Sequence, residues 1–130
     1  MLSNFESIDK PELLNPLVLA YIGDAVYEVY VRRYIIGNGA IKTNTLHKIA
    51  STSYVSARAQ AFILDKIMEF LTEEEVNIVR RGRNANSNTI PKNADIADYK
   101  KATAFEALVG YLFLGNKNER LEEIMKIVLG

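Results

Sequence analysis

Two acidic residues stand alone within apolar, small-residue segments of this sequence. Asp24 lies in the segment Leu19–Glu28, and Glu106 lies in the segment Ala102–Leu112. An ionised carboxylate is costly to bury without a partner, so each acid requires a cation or a hydrogen-bonding group nearby. The small residues around both acids would let two helices pack closely. We therefore expect Asp24 to lie beside Glu106.

A pair of carboxylates is a ligand set typical of magnesium, which prefers oxygen donors and keeps several waters. The chain has no cysteine and one histidine, His47, which excludes thiolate metal sites and a multi-histidine site within one subunit. Glu28, one helical turn after Asp24, could serve as an outer ligand. The alternative for Asp24 is a simple ion pair with Arg32 or Arg33.

The formal net charge of zero hides an uneven distribution of charge. Residues 31–71 and residues 76–101 each carry six basic and two acidic residues, whereas residues 1–30 carry one basic and five acidic residues. Local field rather than total charge steers a ligand, so the middle of the chain could bind a polyanion. The alternative is that these charges only solvate helix faces.

Neither a membrane span nor a secretion signal is predicted. The sequence has no apolar run near eighteen residues and no cationic start followed by a hydrophobic stretch. We expect a cytoplasmic protein.

Hydrophobic spacing predicts helices throughout the chain, and no segment alternates as a strand would. The aperiodic segment Asn84–Asn93, which directly follows Arg80-Arg-Gly-Arg83, predicts a mobile loop. We therefore expect an all-α fold in which residues 1–130 form a single domain. The predicted helix starts are Asn15 before Pro16, Thr43 or Asn44, Thr52 or Ser53, Thr72 with a capping box, Asp95 or Asp98, and Asn118.

Two motifs resemble those of the ribonuclease III catalytic domain. Tyr21-Ile-Gly-Asp-Ala-Val26 is similar to its first signature, and Ala104-Phe-Glu-Ala-Leu-Val-Gly110 is similar to its second. That domain carries four acids, whereas Ala20 and Thr103 stand at two of those positions here. These departures, together with the Arg80–Asn84 and Thr89–Asn93 segments, resemble the small bacterial branch called Mini-ribonuclease III, which lacks a double-stranded-RNA-binding domain.

The resemblance implies a ribonuclease III-like helical bundle that forms a homodimer and hydrolyses double-stranded RNA with Mg²⁺. It further implies that the substrate is the large-subunit ribosomal RNA precursor, and a ribosomal protein is a further candidate partner. Asp24 and Glu106 take the places of catalytic metal ligands, and Tyr21 takes that of an aromatic at the dimer junction. Lys92 takes the place of a lysine near the scissile phosphate.

Basic residues beside the aperiodic loop are candidate RNA contacts, because they suit phosphates and because an A-form duplex is recognised by its shape and backbone. They are Arg80, Arg81, Arg83 and Lys92. Two other functions remain open from the residues alone. One is a non-catalytic ribonuclease III-fold scaffold that binds RNA or the ribosome, and the other is a helical protein-interaction domain. Retention of both Asp24 and Glu106 favours catalysis.

Overall fold

A computed structural model describes residues 5–39, 42–86, 92 and 95–130. Within these residues the secondary structure is helical, without a strand, so the predicted all-α fold is confirmed. None of the described helices combines the length and apolar composition needed to cross a membrane. The α-helices are α1 (Pro16–Gly37), α2 (Thr43–Ile49), α3 (Ala57–Ile67), α4 (Glu73–Asn84), α5 (Ile96–Leu114) and α6 (Asn118–Leu129). Short 3₁₀ turns span Pro11–Leu13 and Met68–Phe70, and a π-helical turn spans Ala50–Val55.

The starts of α1 and α4 confirm the predicted caps. Asn15 Oδ1 accepts a hydrogen bond from the amide of Leu17 at 2.9 Å, and Leu17 is the second residue of a helix that begins at Pro16. At α4, the Thr72 hydroxyl accepts from the Glu75 amide at 3.2 Å, and the Glu75 carboxylate accepts from the Thr72 amide at 2.9 Å. This reciprocal capping box fixes where α4 begins.

The predicted start of α3 at Thr52 or Ser53 is wrong. Residues Ala50–Val55 instead form the π-helical turn, and α3 is capped by Ser56, whose hydroxyl accepts from the Ala59 amide at 3.2 Å. Hydrophobic periodicity cannot distinguish the wider π spacing over six residues from an ordinary helical turn.

The cap of α2 also differs from the prediction. Lys42 occupies the N-cap position and makes no side-chain hydrogen bond there, so Thr43 and Asn44 lie within the helix. No residue of α2 is buried, so water can satisfy the free amides of its first turn.

Helix α5 is the centre of the fold. It packs against α1, α3 and α4, and most of its residues from Ala102 to Leu112 are buried. The ring of Tyr27 on α1 meets the ring of Phe105 on α5 edge to face, with their centroids 4.8 Å apart. Helix α6 adds four buried side chains to the same core. A helix that is apolar on nearly every side belongs inside a bundle.

The backbones of α1 and α5 touch at two glycines. A Cβ atom added to Gly23 would lie 1.8 Å from the Glu106 carbonyl oxygen, and one added to Gly110 would lie 1.9 Å from the Leu19 carbonyl oxygen. Only residues without a side chain allow this separation. The two contacts fix the crossing of α1 and α5 and therefore the positions of the side chains that flank it.

Candidate active site

The α1–α5 crossing brings the two isolated acids together, as the sequence predicts. Asp24 directly follows Gly23, and the carbonyl that faces Gly23 belongs to Glu106 itself. The carboxyl group of Asp24 acts on that of Glu106 both as a hydrogen-bonding partner and through its negative charge. Asp24 is exposed and Glu106 is half-buried, so a ligand in solvent can reach the pair. The roles of these residues in catalysis stay a prediction.

The electrostatics of Glu106 reflect this crowding. Burial, followed by the hydrogen bond and negative charge of Asp24, raises the pKa of Glu106 to about 8, and the charge of Glu28 acts in the same direction. A hydrogen bond from Gln60 opposes these effects. Two adjacent carboxylates repel each other, and a cation that binds between them stabilises both.

The other two positions of the four-acid pattern carry no acid. Ala20 is 7% exposed and packs in the core. Thr103 is buried, and its hydroxyl donates to the Tyr99 carbonyl at 3.0 Å within α5. Both positions therefore support the helix packing.

Glu28 and Arg32 form an ion pair one turn beyond Asp24. Their side chains approach to 3.1 Å on the surface of α1. The sequence alternative in which Asp24 pairs with Arg32 is therefore not what the structure shows. Glu28 remains close enough for its charge to act on Glu106, but its observed partner is the arginine.

Sequence reasoning missed Gln60, a buried polar residue beside the acid pair. Its Nε2 donates to the Val55 carbonyl at 2.9 Å and to Glu106 Oε2 at 3.5 Å. Its Oε1 has no hydrogen-bond partner among the described residues. The available signal was that Gln60 is the only glutamine in the chain and interrupts the apolar face of α3. Sequence spacing does not show that α3 packs beside Glu106.

Tyr27 lies behind the acid pair. Its hydroxyl donates to the Tyr54 carbonyl at 3.0 Å, at the end of the π-helical turn. Burial, with smaller contributions from Tyr54 and Glu106, raises the pKa of Tyr27. It therefore stays neutral and anchors the turn that supplies the Val55 carbonyl to Gln60.

The donor set fits magnesium. Asp24 and Glu106 offer carboxylate oxygens, and solvent reaches both residues. Among the described residues, no three histidine, cysteine or acidic side chains gather as a metal cluster. Magnesium is commonly held through one or two carboxylates, with waters and substrate phosphates completing its octahedron. Two carboxylates open to solvent suit that arrangement.

The candidate RNA contacts lie in different surroundings. Arg83 and Lys92 are exposed, and Arg80 is exposed with its guanidinium donating to Asn77 Oδ1 at 2.9 Å. Arg81 instead donates to the backbone carbonyls of Glu12 and Leu14, which ties the N-terminal segment to α4. Of the predicted mobile loop Asn84–Asn93, residues 87–91 and 93 lie outside the described residues.

Tyr21 lies on an exposed apolar stripe of α1. Its side chain is 83% exposed, and Val18 and Val29, which lie on the same stripe, are about half exposed. Beside the stripe, a groove of about 450 Å³ is lined mainly by apolar side chains, which include Ile22, Val26 and Phe113. Large exposed apolar patches usually mark an interaction surface.

Comparison with known proteins agrees with the fold. A family model described as Ribonuclease III domain matches residues 17–117. A Mini-ribonuclease 3 from Brevibacillus brevis is 57% identical over 116 residues, covering 89% of this chain and 86% of that protein. A Mini-ribonuclease 3 from Clostridium tetani is 52% identical over 127 residues, covering 95% and 83%. The crystal structure of a Fusobacterium nucleatum protein superposes with a TM-score of 0.79 at 35% identity and covers 89% of this chain and 92% of that one.

These matches define a helical nuclease domain built around two crossed, acid-bearing helices. The chain belongs to the ribonuclease III family, within its Mini-ribonuclease 3 group. It is an endoribonuclease. The scaffold and protein-interaction alternatives are accordingly set aside.

Proposed function

We propose that this protein is a magnesium-dependent endoribonuclease that cuts double-stranded RNA at the Asp24–Glu106 pair. The observation that supports it is the α1–α5 crossing, which places two mutually repelling carboxylates side by side where solvent reaches them. Glu106 is half-buried beside a second acid, and such a site is costly to retain in a domain that uses it only for structure. A cation bound between Asp24 and Glu106 would relieve the repulsion between them, so this repulsion favours cation binding.

In this proposal Asp24 and Glu106 hold the ion and thereby orient the scissile phosphate. A bound magnesium ion supplies a water acidic enough to attack a phosphodiester near neutral pH and positive charge for the leaving oxygen. The exposed position of Asp24 leaves room for the phosphate, and the half-buried position of Glu106 limits the motion of its carboxylate. The products are a 5′ phosphate and a 3′ hydroxyl.

The described basic residues suit an RNA backbone. Arg80, Arg83 and Lys92 are exposed, and Lys92 belongs to a segment that resembles the family's lysine-bearing loop near the scissile phosphate. Contacts of this type bind duplex RNA by its phosphates and shape rather than by base sequence. Arg81 donates hydrogen bonds to the backbone carbonyls of Glu12 and Leu14, and these contacts fix the N-terminal segment against α4.

We further propose a homodimer formed through the exposed stripe of α1. Val29 belongs both to this stripe and to the lining of the apolar groove, and a twofold axis would let the exposed Tyr21 of each copy approach the other copy. The resemblance supports this assignment, because Tyr21 stands at the family's dimer-junction aromatic. Two copies would supply one active centre for each strand of the duplex.

The proposed natural substrate is the cytoplasmic precursor of large-subunit ribosomal RNA, with a ribosomal protein as a candidate accessory partner. The support is the resemblance of the Arg80–Asn84 and Thr89–Asn93 segments and of the two missing acids to the Mini branch. Residues 1–130 would act as a single catalytic domain.

Incubation with end-labelled RNA tests the proposal. The protein should cut a duplex in magnesium, leave the separated strands of the same sequence intact, and stop in excess EDTA. The products should accept a ligase that requires a 5′ phosphate. Equal cleavage of the single strands, or full activity in EDTA, would contradict the proposal.

A further inference from the structure

Gln60 has an environment that packing alone does not explain. Its side chain is 2% exposed, yet it carries two donors and an acceptor into the region between α3 and α5. One donor is used by the Val55 carbonyl at 2.9 Å, and the amide also meets Glu106 Oε2 at 3.5 Å.

The neighbouring groups fix the orientation of this amide. The Val55 carbonyl can only accept a hydrogen bond, so a flipped amide would place its oxygen against that carbonyl oxygen. The amide nitrogen must therefore face Val55. The nitrogen also meets Glu106 Oε2, and the amide oxygen is left without a partner among the described residues.

This orientation works against stability. A buried acceptor without a partner is destabilising, whereas an apolar side chain of similar shape would leave no such group on α3. The neighbouring residues on α3, Ala61 and Leu64, are apolar core residues. The amide of Gln60 holds the Val55 carbonyl of the π-helical turn, and its remaining polar contact is with the Glu106 carboxylate rather than with the core.

We propose that Gln60 is a positioning residue that holds Oε2 of Glu106, so that the other carboxylate oxygen is presented to the metal beside Asp24. The proposal rests on the proposed function, because Glu106 is a metal ligand only there. The 3.5 Å separation is long for a hydrogen bond, and such contacts often shorten once substrate or metal is bound.

The physical reason is restriction of rotation. A glutamate carboxylate turns freely about its last bond unless one oxygen is held, and a held ligand binds a metal with less loss of entropy. Loss of a hydrogen-bond partner behind a metal ligand typically lowers metal affinity or activity about 10- to 100-fold. Gln60 should act on both metal binding and the rate of cleavage, without a direct contact to RNA.

Binding of Mn²⁺ in the absence of RNA, followed by electron paramagnetic resonance, tests the proposal without relying on activity. Gln60→Met removes the amide at nearly constant length, and Leu64→Met, one turn further on the same buried face of α3, is the matched control. We expect Gln60→Met to raise the Mn²⁺ dissociation constant about 10-fold or more and Leu64→Met to leave it unchanged. Under single-turnover conditions Gln60→Met should lower the maximal rate of duplex cleavage but not the RNA affinity.

A folded Gln60→Met variant that binds Mn²⁺ with parental affinity would overturn the positioning role. If Gln60→Met does not fold, Gln60→Asn, which keeps the amide but is one methylene shorter, gives the same comparison with the same two outcomes. Glu106→Gln distinguishes the positioning role of Gln60 from the proposed metal site on which that role depends. If Glu106→Gln weakens Mn²⁺ binding and Gln60→Met does not, only the role of Gln60 fails, whereas unchanged binding in both variants rejects the metal site and the role of Gln60 together.

Discussion

Replacing Gly23 with alanine should separate the two helices that carry the acids. The added Cβ would lie 1.8 Å from the Glu106 carbonyl oxygen and 2.8 Å from the Gly110 amide nitrogen, both of which are backbone atoms that cannot rotate away. Carbon and oxygen atoms that are not bonded rarely come closer than about 3.0 Å, so α1 must move by roughly 1.2 Å. Because α1 packs against the central helix α5, this displacement disturbs the centre of the core.

The cost follows from the same geometry. Overpacking of a core typically costs about 1–3 kcal/mol, and a gap of 0.5–1 Å elsewhere along the α1–α5 contact removes a quarter to a half of the dispersion energy there. Alanine has a higher helix propensity than glycine, which offsets about 1 kcal/mol of this cost. With an overpacking cost at the upper end of that range, about 3 kcal/mol, less the propensity gain, we expect Gly23→Ala to lower the free energy of unfolding by about 2 kcal/mol. A displacement of about 1 Å between the acids should also slow cleavage about 100-fold.

Urea unfolding followed by circular dichroism measures the first effect, and Gly37→Ala is its control. Gly37 lies at the end of the same helix, and a Cβ there would meet no atom within 4 Å. That variant should be neutral or more stable by up to about 1 kcal/mol. If the two variants unfold within about 0.5 kcal/mol of each other, the backbone contact at Gly23 does not set the crossing.

Three further predictions concern stability and RNA binding. Arg120→Ala should lower the unfolding free energy by about 2–3 kcal/mol in denaturant titrations, because Arg120 pairs at 2.8 Å with Glu75, whose side chain is 6% exposed and would be left buried and unpaired. In EDTA the free energy of unfolding of the parent protein should fall by about 1–3 kcal/mol relative to that of Glu106→Gln as the pH rises from 4.5 to 8. The reason is that the pKa of Glu106 is higher in the folded state, so its ionisation disfavours folding. Unfolding free energies with the same pH dependence in both proteins would contradict this prediction. Arg83→Ala and Lys92→Ala should each flatten the salt dependence of duplex RNA affinity by about one unit in magnesium-free buffer, whereas an unchanged slope would remove that residue from the interface.

The helices and the acid pair could be predicted because their signals are local. The capping box at Thr72 and the proline after Asn15 fix helix starts through contacts within a few residues. The small residues around Asp24 and Glu106 indicated a close helix crossing, and the contact at Gly23 confirms it. The segments Tyr21–Val26 and Ala104–Gly110 resemble the two signatures of the ribonuclease III family, and this resemblance predicted the family.

The remaining features depend on contacts that are distant in sequence. The π-helical turn presents the Tyr54 and Val55 carbonyls to Tyr27 and Gln60, so its conformation depends on side chains from outside the turn. The contacts of Arg81 with the carbonyls of Glu12 and Leu14, about seventy residues earlier in the chain, were not predicted, whereas its role as an RNA contact stays a prediction. No periodic pattern indicates such a partner.

The central claim is that Asp24 and Glu106 act together on the scissile phosphate. Its most direct test is the single-turnover rate of duplex RNA cleavage in saturating magnesium for Asp24→Asn, Glu106→Gln and a control, Glu119→Gln, which alters an exposed acid in the first turn of α6. Loss of a metal ligand should remove several kcal/mol of transition-state stabilisation, so the first two variants should fold normally and cut about 1,000-fold more slowly or worse. The control should cut at the parental rate. Near-parental cleavage by either Asp24→Asn or Glu106→Gln would contradict the assignment of the active site.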